Sequence, residues 1–294
     1  MKSILRYSKF FFALSLILML ASIMSIAVFG LKPGIEFTGG SILEVAYEQD
    51  PPSLESVRSQ LSGLDVGLVS AQRVEERGIL LRMGDLSEEK HQEVLSALGE
   101  GTQEMRFESI GPVIGKELQS RAAILLALAL ASIVIYVMFA FRKVKQPVHS
   151  WQWSLATLAA LLHDVLLPLG VLAFLGRFYG VQITIPVVVA LLTVVGYSVN
   201  DTVVVFDRVR ENLLKKVGAD FADTLRLSLE QTFTRSMNTS LTTLLAVLAI
   251  LFFGGGTLRD FALTLAIGIA AGNWSSLFVA PPLLTSKGKF GLIS

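Results

Sequence analysis

Asp201 and Arg235 lie within or at the edge of long apolar runs, where a charge costs about 2.5 to 3.5 kcal/mol on membrane-insertion scales and needs a reason. Arg235, Asn238, Thr239 and Thr242 recur at i, i+3, i+4 and i+7, which is one face of a helix. On the preceding run Gly196 and Asn200 share a face, with Asp201 beside them. A carboxylate and a guanidinium that both need relief from lipid are expected to point at each other or at a water-filled cavity. Pairing keeps the carboxylate ionised, so a change in its access to water lets Asp201 take up or release a proton, the chemistry of an intramembrane proton carrier. The competing reading makes Asp201 an interhelical hydrogen-bond anchor and the Asn and Thr residues ordinary packing glue. His163 and Asp164, at depth in a third apolar run, form a secondary candidate with no evident partner.

The elements that must hold these residues are membrane helices. Of the 294 residues 52% are hydrophobic and only 17% charged, against about 25% charged in an ordinary globular domain. Crossing a hydrocarbon core takes roughly 20 helical residues. Six runs qualify: Phe10–Phe29, Ala122–Phe141, Ser154–Leu175, Val181–Phe206, Met237–Phe253 and Phe261–Leu284. The first is too long for a signal-peptide core and lacks a small-residue cleavage site, so it reads as a retained anchor. With the N-terminus inside, the cytoplasmic segments hold fourteen Lys and Arg and the opposite short loops only Arg177 and Arg259. By the positive-inside rule both termini are then cytoplasmic. Between the fourth and fifth runs, Phe221, Leu225, Leu229 and Phe233 recur every four residues, which predicts an amphipathic helix near 219–235 on the inner membrane surface or against a partner.

The stretch from Gly30 to Arg121 is hydrophilic and falls outside, with sixteen acidic and nine basic residues. Its pattern changes period repeatedly: strand at Ser41–Glu48, helix at Ser53–Leu61, strands at Val66–Val74 and Gly78–Met83, helix at Ser87–Leu98, strand at Gln103–Ile110. That βαββαβ order predicts a ferredoxin-like α+β domain. The chain thus divides into a first helix (1–29), this external domain (30–121) and a membrane domain (122–294). The near-neutral net charge of +1 argues against a nucleic-acid binder. There is no Cys, which removes disulfides, thiolate metal sites and a Cys nucleophile. No His, Asp or Glu cluster has metal-ligand spacing. Gly111-Pro-Val-Ile-Gly-Lys-Glu departs from a phosphate loop in glycine spacing and in having Glu117 where a magnesium-binding hydroxyl belongs, so no ATP site is expected. His91 and His149 read as surface residues, and no catalytic constellation marks an enzyme.

Several motifs together resemble the SecF family, which pairs with SecD in the RND superfamily. They are Gly34-Ile35-Glu36-Phe37-Thr38-Gly39-Gly40, Glu108-Ser109-Ile110-Gly111-Pro112-Val113-Ile114-Gly115, the run Gly196-Tyr197-Ser198-Val199-Asn200-Asp201-Thr202 continuing to Arg208, and Arg235-Ser236-Met237-Asn238-Thr239-Ser240. Glu36 stands where the family usually has Asp. The resemblance implies six helices forming half of a twelve-helix unit, with SecD as obligate partner, SecYEG as the translocon and YajC and YidC as further associates. It implies a role in late translocation of unfolded preproteins driven by the proton-motive force in a bacterial inner membrane, with protons as the coupling ion and no other cofactor. Asp201, Arg235, Asn200, Asn238, Thr239 and Thr242 then belong to the proton path. Gly34, Glu36, Phe37, Gly39, Gly40, Gly111, Pro112 and Gly115 couple it to the external domain. Alternatives are half of an RND exporter for lipids or small molecules, or a purely structural membrane subunit.

Overall fold

The structure, a computed structural model, describes residues 8–67, 69–74, 77–99, 101–142, 147–254 and 256–284. The chain falls into two compact units, Met1–Lys32 with Leu125–Ser294, and Pro33–Ile124.

The helical unit contains α1 (Ser8–Phe29), most of a long helix α5 (Pro112–Ala140), α6 (Ser150–Tyr179), α7 (Ile185–Leu214), α8 (Phe221–Phe253), α9 (Gly256–Phe278) and the short α10 (Ala280–Leu284). Among the described residues six spans are long and apolar enough to cross a membrane, the last running from α9 into α10. Consecutive Pro281 and Pro282 lack the amide donors that would continue α9, so the sixth run is two helices rather than one. Helix α9 packs against α6, α7 and α8, and α1 lies on α6. At that second crossing a Cβ on Gly170 would meet Ser22 at 2.4 Å, and the Ser25 hydroxyl donates to the Gly170 carbonyl at 2.7 Å.

The fifth apolar run begins much earlier than its hydropathy suggests. Phe221 to Phe253 is one continuous 33-residue helix, since no Gly or Pro interrupts it between the Asp220 N-cap and Gly254. The predicted membrane-surface helix is therefore the first half of α8. Its apolar stripe is spent on the chain's own helices: Leu225 and Leu229 are buried, with Phe221 and Phe233 at the edge, in a core shared with Trp153, Val205, Phe206 and Val209. Asn212 of α7 clamps this half by donating to Ser228 at 2.8 Å and to Gln231 at 2.9 Å.

The second unit has a four-stranded sheet of β1 (Gly40–Tyr47), β2 (Ser70–Val74), β3 (Gly78–Met83) and β4 (Thr102–Ile110), in spatial order β2-β3-β1-β4 with every pair antiparallel. Three helices belong with it: α2 (Ile35–Thr38), α3 (Leu54–Leu61) and α4 (Glu88–Leu98). Alternate residues Leu43 and Val45 of β1 and Ile79 and Leu81 of β3 are fully buried against Val57 and Leu61 of α3 and Val94 of α4. Ser53 and Ser87 cap the two longer helices through the amides of Ser56 and Lys90, as serines before an acidic first turn should. The strand expected from Val66 starts only at Ser70, because Gly67 adopts φ +72° and turns the chain. Leu68 and the Glu75-Glu76 junction lie outside the described residues.

His91 is not a surface residue. Its ring is 4% exposed and stacks on Phe107 at 3.7 Å, with Nε2 3.1 Å from Glu104. Position i+3 from Glu88 on an amphipathic helix turned it inward with Val94. His149 is exposed and precedes α6, its amide donating to Gln152 at 2.8 Å.

Candidate functional site

Asp201 lies on the buried face of α7, 3% exposed, and its carboxylate accepts a hydrogen bond from Ser240 of α8 at 3.0 Å. One turn earlier Tyr197 donates to Thr243 of α8 at 3.2 Å. The two helices therefore run in opposite senses, with Ser236 and Ser240 forming the buried face of α8.

The expected pairing of Asp201 with Arg235 is absent. Arg235, Asn238, Thr239 and Thr242 do share one face, but that face is exposed, as are Gly196 and Asn200 on α7. Successive helical residues are 100° apart, so the face carrying Ser236 and Ser240 excludes the one carrying Arg235 and Thr239. The helix turned its small hydroxyls toward α7, where close packing requires small residues. Asp207, Arg208, Arg210 and Glu211 pair locally as expected, Arg208 with Glu211 at 2.6 Å and Arg210 with Asp207 at 2.8 Å.

A second polar centre proves better connected. Asp164 on α6 is fully buried, and His163 is 1% exposed. Asp164 Oδ1 lies 2.8 Å from His163 Nδ1, while Oδ2 accepts from Ser198 of α7 and from Ser275 of α9, the latter at 2.7 Å. The carboxylate thus ties three helices together. Pro168, four residues on, supplies no amide to the Asp164 carbonyl. Nε2 of His163 is buried without a hydrogen-bond partner among the described residues.

Helix α9 reaches this centre because it approaches α7 closely. A Cβ on Gly268 would meet Val194 Cγ2 at 2.1 Å, and one on Gly272 would meet Ser198 Cβ at 3.1 Å. Gly268 and Gly272 form a G-x-x-x-G pair, a known signature of close helix crossing in membranes. That signal was present in the sequence and would have pointed to Ser198 and Ser275.

In the sheet unit, the two glycine-bearing motifs meet. A Cβ on Gly39 would lie 2.7 Å from Pro112 Cα, and one on Gly115 would lie 2.8 Å from Gly39 N. Gly39 (φ +77°) and Gly40 (φ +128°) occupy backbone conformations that side chains disfavour. The start of β1 thus rests backbone to backbone on the first turn of α5. Phe37 is buried there with Gly34, whereas a Cβ on Gly111 would lie 3.8 Å from the carboxylate of Asp85. One carboxylate oxygen of Glu36 is buried with no hydrogen-bond partner among the described residues. No group of three His, Cys, Asp or Glu residues positioned to hold a metal occurs among the described residues.

Residues 90–289 match the family model for the C-terminal region of the protein export membrane proteins SecD/SecF, and residues 25–51 match the SecD/SecF GG motif. The chain is 39% identical to the protein translocase subunit SecF of Thermobaculum terrenum, over 97% of this chain and 94% of that one. It is 38% identical to the SecF subunit of Pseudomonas aeruginosa, over 93% of this chain and 87% of that one. Among solved structures it resembles SecDF of Thermus thermophilus, a translocon-associated membrane protein, with a TM-score of 0.82 at 32% identity. The match covers 95% of this chain but 38% of the SecDF chain, so the present chain spans under two fifths of that protein. Against SecDF in a super-membrane-facing form the TM-score is 0.66.

Proposed function

The chain belongs to the SecF family, the protein translocase subunits of the Sec export machinery, and on that premise we propose that with SecD it uses the proton-motive force to complete preprotein translocation through SecYEG. The observation that carries the proposal is Asp201: a carboxylate inside a membrane helix, 3% exposed, held by a single hydroxyl from the neighbouring span. Such a group is functional by default, because hydrocarbon makes it expensive to keep.

In this reading Asp201 takes up a proton from the extracytoplasmic side, its hold on Ser240 weakens, and α8 turns relative to α7. A turn of about 100° replaces one residue by the next and brings the stripe of Arg235, Asn238, Thr239 and Thr242 round toward α7. In the present arrangement this stripe and Asn200 are exposed, which suits a polar face covered by the SecD helices in a twelve-helix assembly. One charge crossing 100 mV supplies about 2.3 kcal/mol, comparable with the few kcal/mol separating typical conformers. The βαββαβ unit is the ferredoxin-like external domain that grips and releases the substrate. The junction of Gly39 and Gly40 with Pro112 and Gly115 passes on the movement. Both termini are cytoplasmic, the membrane is the bacterial inner membrane, protons are the coupling ion, and no catalysis or further cofactor is involved.

The test is Asp201→Asn in vesicles carrying the complex with SecD under an imposed proton gradient. Gradient-stimulated export should be lost while recovery of the complex is unchanged. Undiminished export would overturn the proposal, and failure to recover the complex would instead favour a structural subunit.

A further inference from the structure

Asp164 has more hydrogen-bond partners than Asp201. It is fully buried, hydrogen-bonds with His163, accepts from Ser198 and Ser275, and joins α6, α7 and α9. Its two oxygens meet three hydrogen-bonding partners, and among the described residues the His163 ring, 2.8 Å away, is the neighbour able to exchange a proton with it. That ring has an unused polar atom: Nε2 is buried and without a hydrogen-bond partner among the described residues. A structural anchor needs no such atom, and a buried nitrogen left unsatisfied forfeits its solvation without return.

The surrounding elements hold little other charge. Helix α7 contributes Asp201, which sits three residues from Ser198. Its remaining charged residues, Asp207, Arg208, Arg210 and Glu211, lie two to four turns further on, and those of α9, Arg259 and Asp260, lie at its opposite end from Ser275. Helix α1 offers Ser22 and Ser25 against α6 and carries Lys9 only at its start, α5 carries no ionisable side chain between Ala122 and Tyr136, and α10 carries none at all. Asp164 on α6 and Asp201 on α7 are linked through Ser198, which bonds Asp164 and lies one turn from Asp201, and two such neighbouring acids are unfavourable when both are ionised.

We propose that His163 and Asp164 form a second proton-holding site, with His163 Nε2 as the atom where the proton enters. The inference rests on the proton-driven reading of Asp201 given above. A proton from water bonds to Nε2, the Nδ1–H bond breaks as its proton passes to Asp164 Oδ1, and the ring returns to neutrality as the other tautomer. The net gain is one proton on the carboxyl. The neutral acid holds the Ser198 and Ser275 hydroxyls less tightly, which frees α9 to shift against α6 and α7. Occupancy of this site and of Asp201 is linked, because neutralising one removes a like charge from the other.

The experiment is acid-minus-alkaline infrared difference spectroscopy of the purified complex of this chain with SecD. A carboxylic-acid carbonyl band should appear on acidification, be missing in Asp164→Asn, persist in Asp201→Asn, and move in Ser275→Ala, which removes one donor. Superimposable spectra of the unaltered complex and Asp164→Asn would overturn the inference. Should Asp164→Asn fail to assemble, Ser275→Ala and His163→Asn decide, and band positions unchanged in both would overturn it equally. The parent reading fails separately, by Asp201→Asn retaining gradient-stimulated export, whatever the infrared band does.

Discussion

Replacing Gly268 by alanine tests whether the close approach of α9 to α7 builds the Asp164 centre. The new Cβ would lie 2.1 Å from Val194 Cγ2 and 2.7 Å from Cγ1, against an ordinary carbon contact of about 3.5 to 4.0 Å. Val194 has no ready escape, because a valine on a helix has one strongly preferred rotamer. Helix α9 must therefore move by about 1 Å, enough to stretch the 2.7 Å bond from Ser275 to Asp164 beyond hydrogen-bonding range. Overpacking costs about 1 to 3 kcal/mol, and a lost interhelical bond in a membrane protein about 0.6 kcal/mol. Alanine's better helix propensity returns up to about 1 kcal/mol. The net expectation is a loss of about 1 to 3 kcal/mol. Gly196→Ala is the control, since a Cβ there meets nothing within 4 Å, and should be neutral or stabilising by up to about 1 kcal/mol. Unfolding of the full chain in mixed micelles, followed by the fluorescence of Trp153 and Trp274, reads both. If Gly268→Ala unfolds at the same detergent fraction as Gly196→Ala, the helices tolerate separation and the packing argument is wrong.

Further tests address the proton path and the sheet unit. Arg235→Lys keeps the charge but loses the planar fork, so gradient-stimulated export should fall sharply; full retention would mean that a point charge is sufficient. Leu81→Ala empties a fully buried position of the sheet core and should destabilise that unit by about 2 to 5 kcal/mol, seen as earlier loss of protected β3 amides in hydrogen exchange. The Gln92 amide, and secondarily His91, hold the Glu88 carboxyl below the usual glutamate range. A depressed carboxyl contributes stability that is present above its unfolded pKa and lost as pH falls through the folded one. Gln92→Ala should return Glu88 toward its ordinary titration, and an unmoved midpoint by NMR would contradict that assignment.

The six spans were legible because hydrocarbon thickness sets a length that few other constraints imitate. The sheet unit was legible because period-2 runs and capping serines mark its elements. Asp201 stood out by depth alone. Its partner did not, because α8 carries polar residues on two adjacent faces, and periodicity finds a stripe without saying which stripe turns inward. Asp164 was undervalued for a different reason. Its donors are Ser198 and Ser275, 34 and 111 residues away, and serine is too common in membrane helices to flag a site. Only the Gly268 and Gly272 spacing carried that information. The amphipathic stretch near 219–235 left open whether membrane or protein covers it, because amphipathicity records that a face is covered, not by what; its stripe packs on the chain's own helices.

Helix α8 has a mechanical consequence. At 1.5 Å per residue its 33 residues extend about 50 Å, against a hydrocarbon thickness of about 30 Å. The surplus is the charged, clamped first half around Asp223, Arg226 and Glu230. On the proposed mechanism, a continuous helix would carry a change at Asp201 from Ser240 along to the clamped turns around Arg226. On that mechanism the switch would have a shaft end beyond the hydrocarbon, where a spectroscopic label could read it.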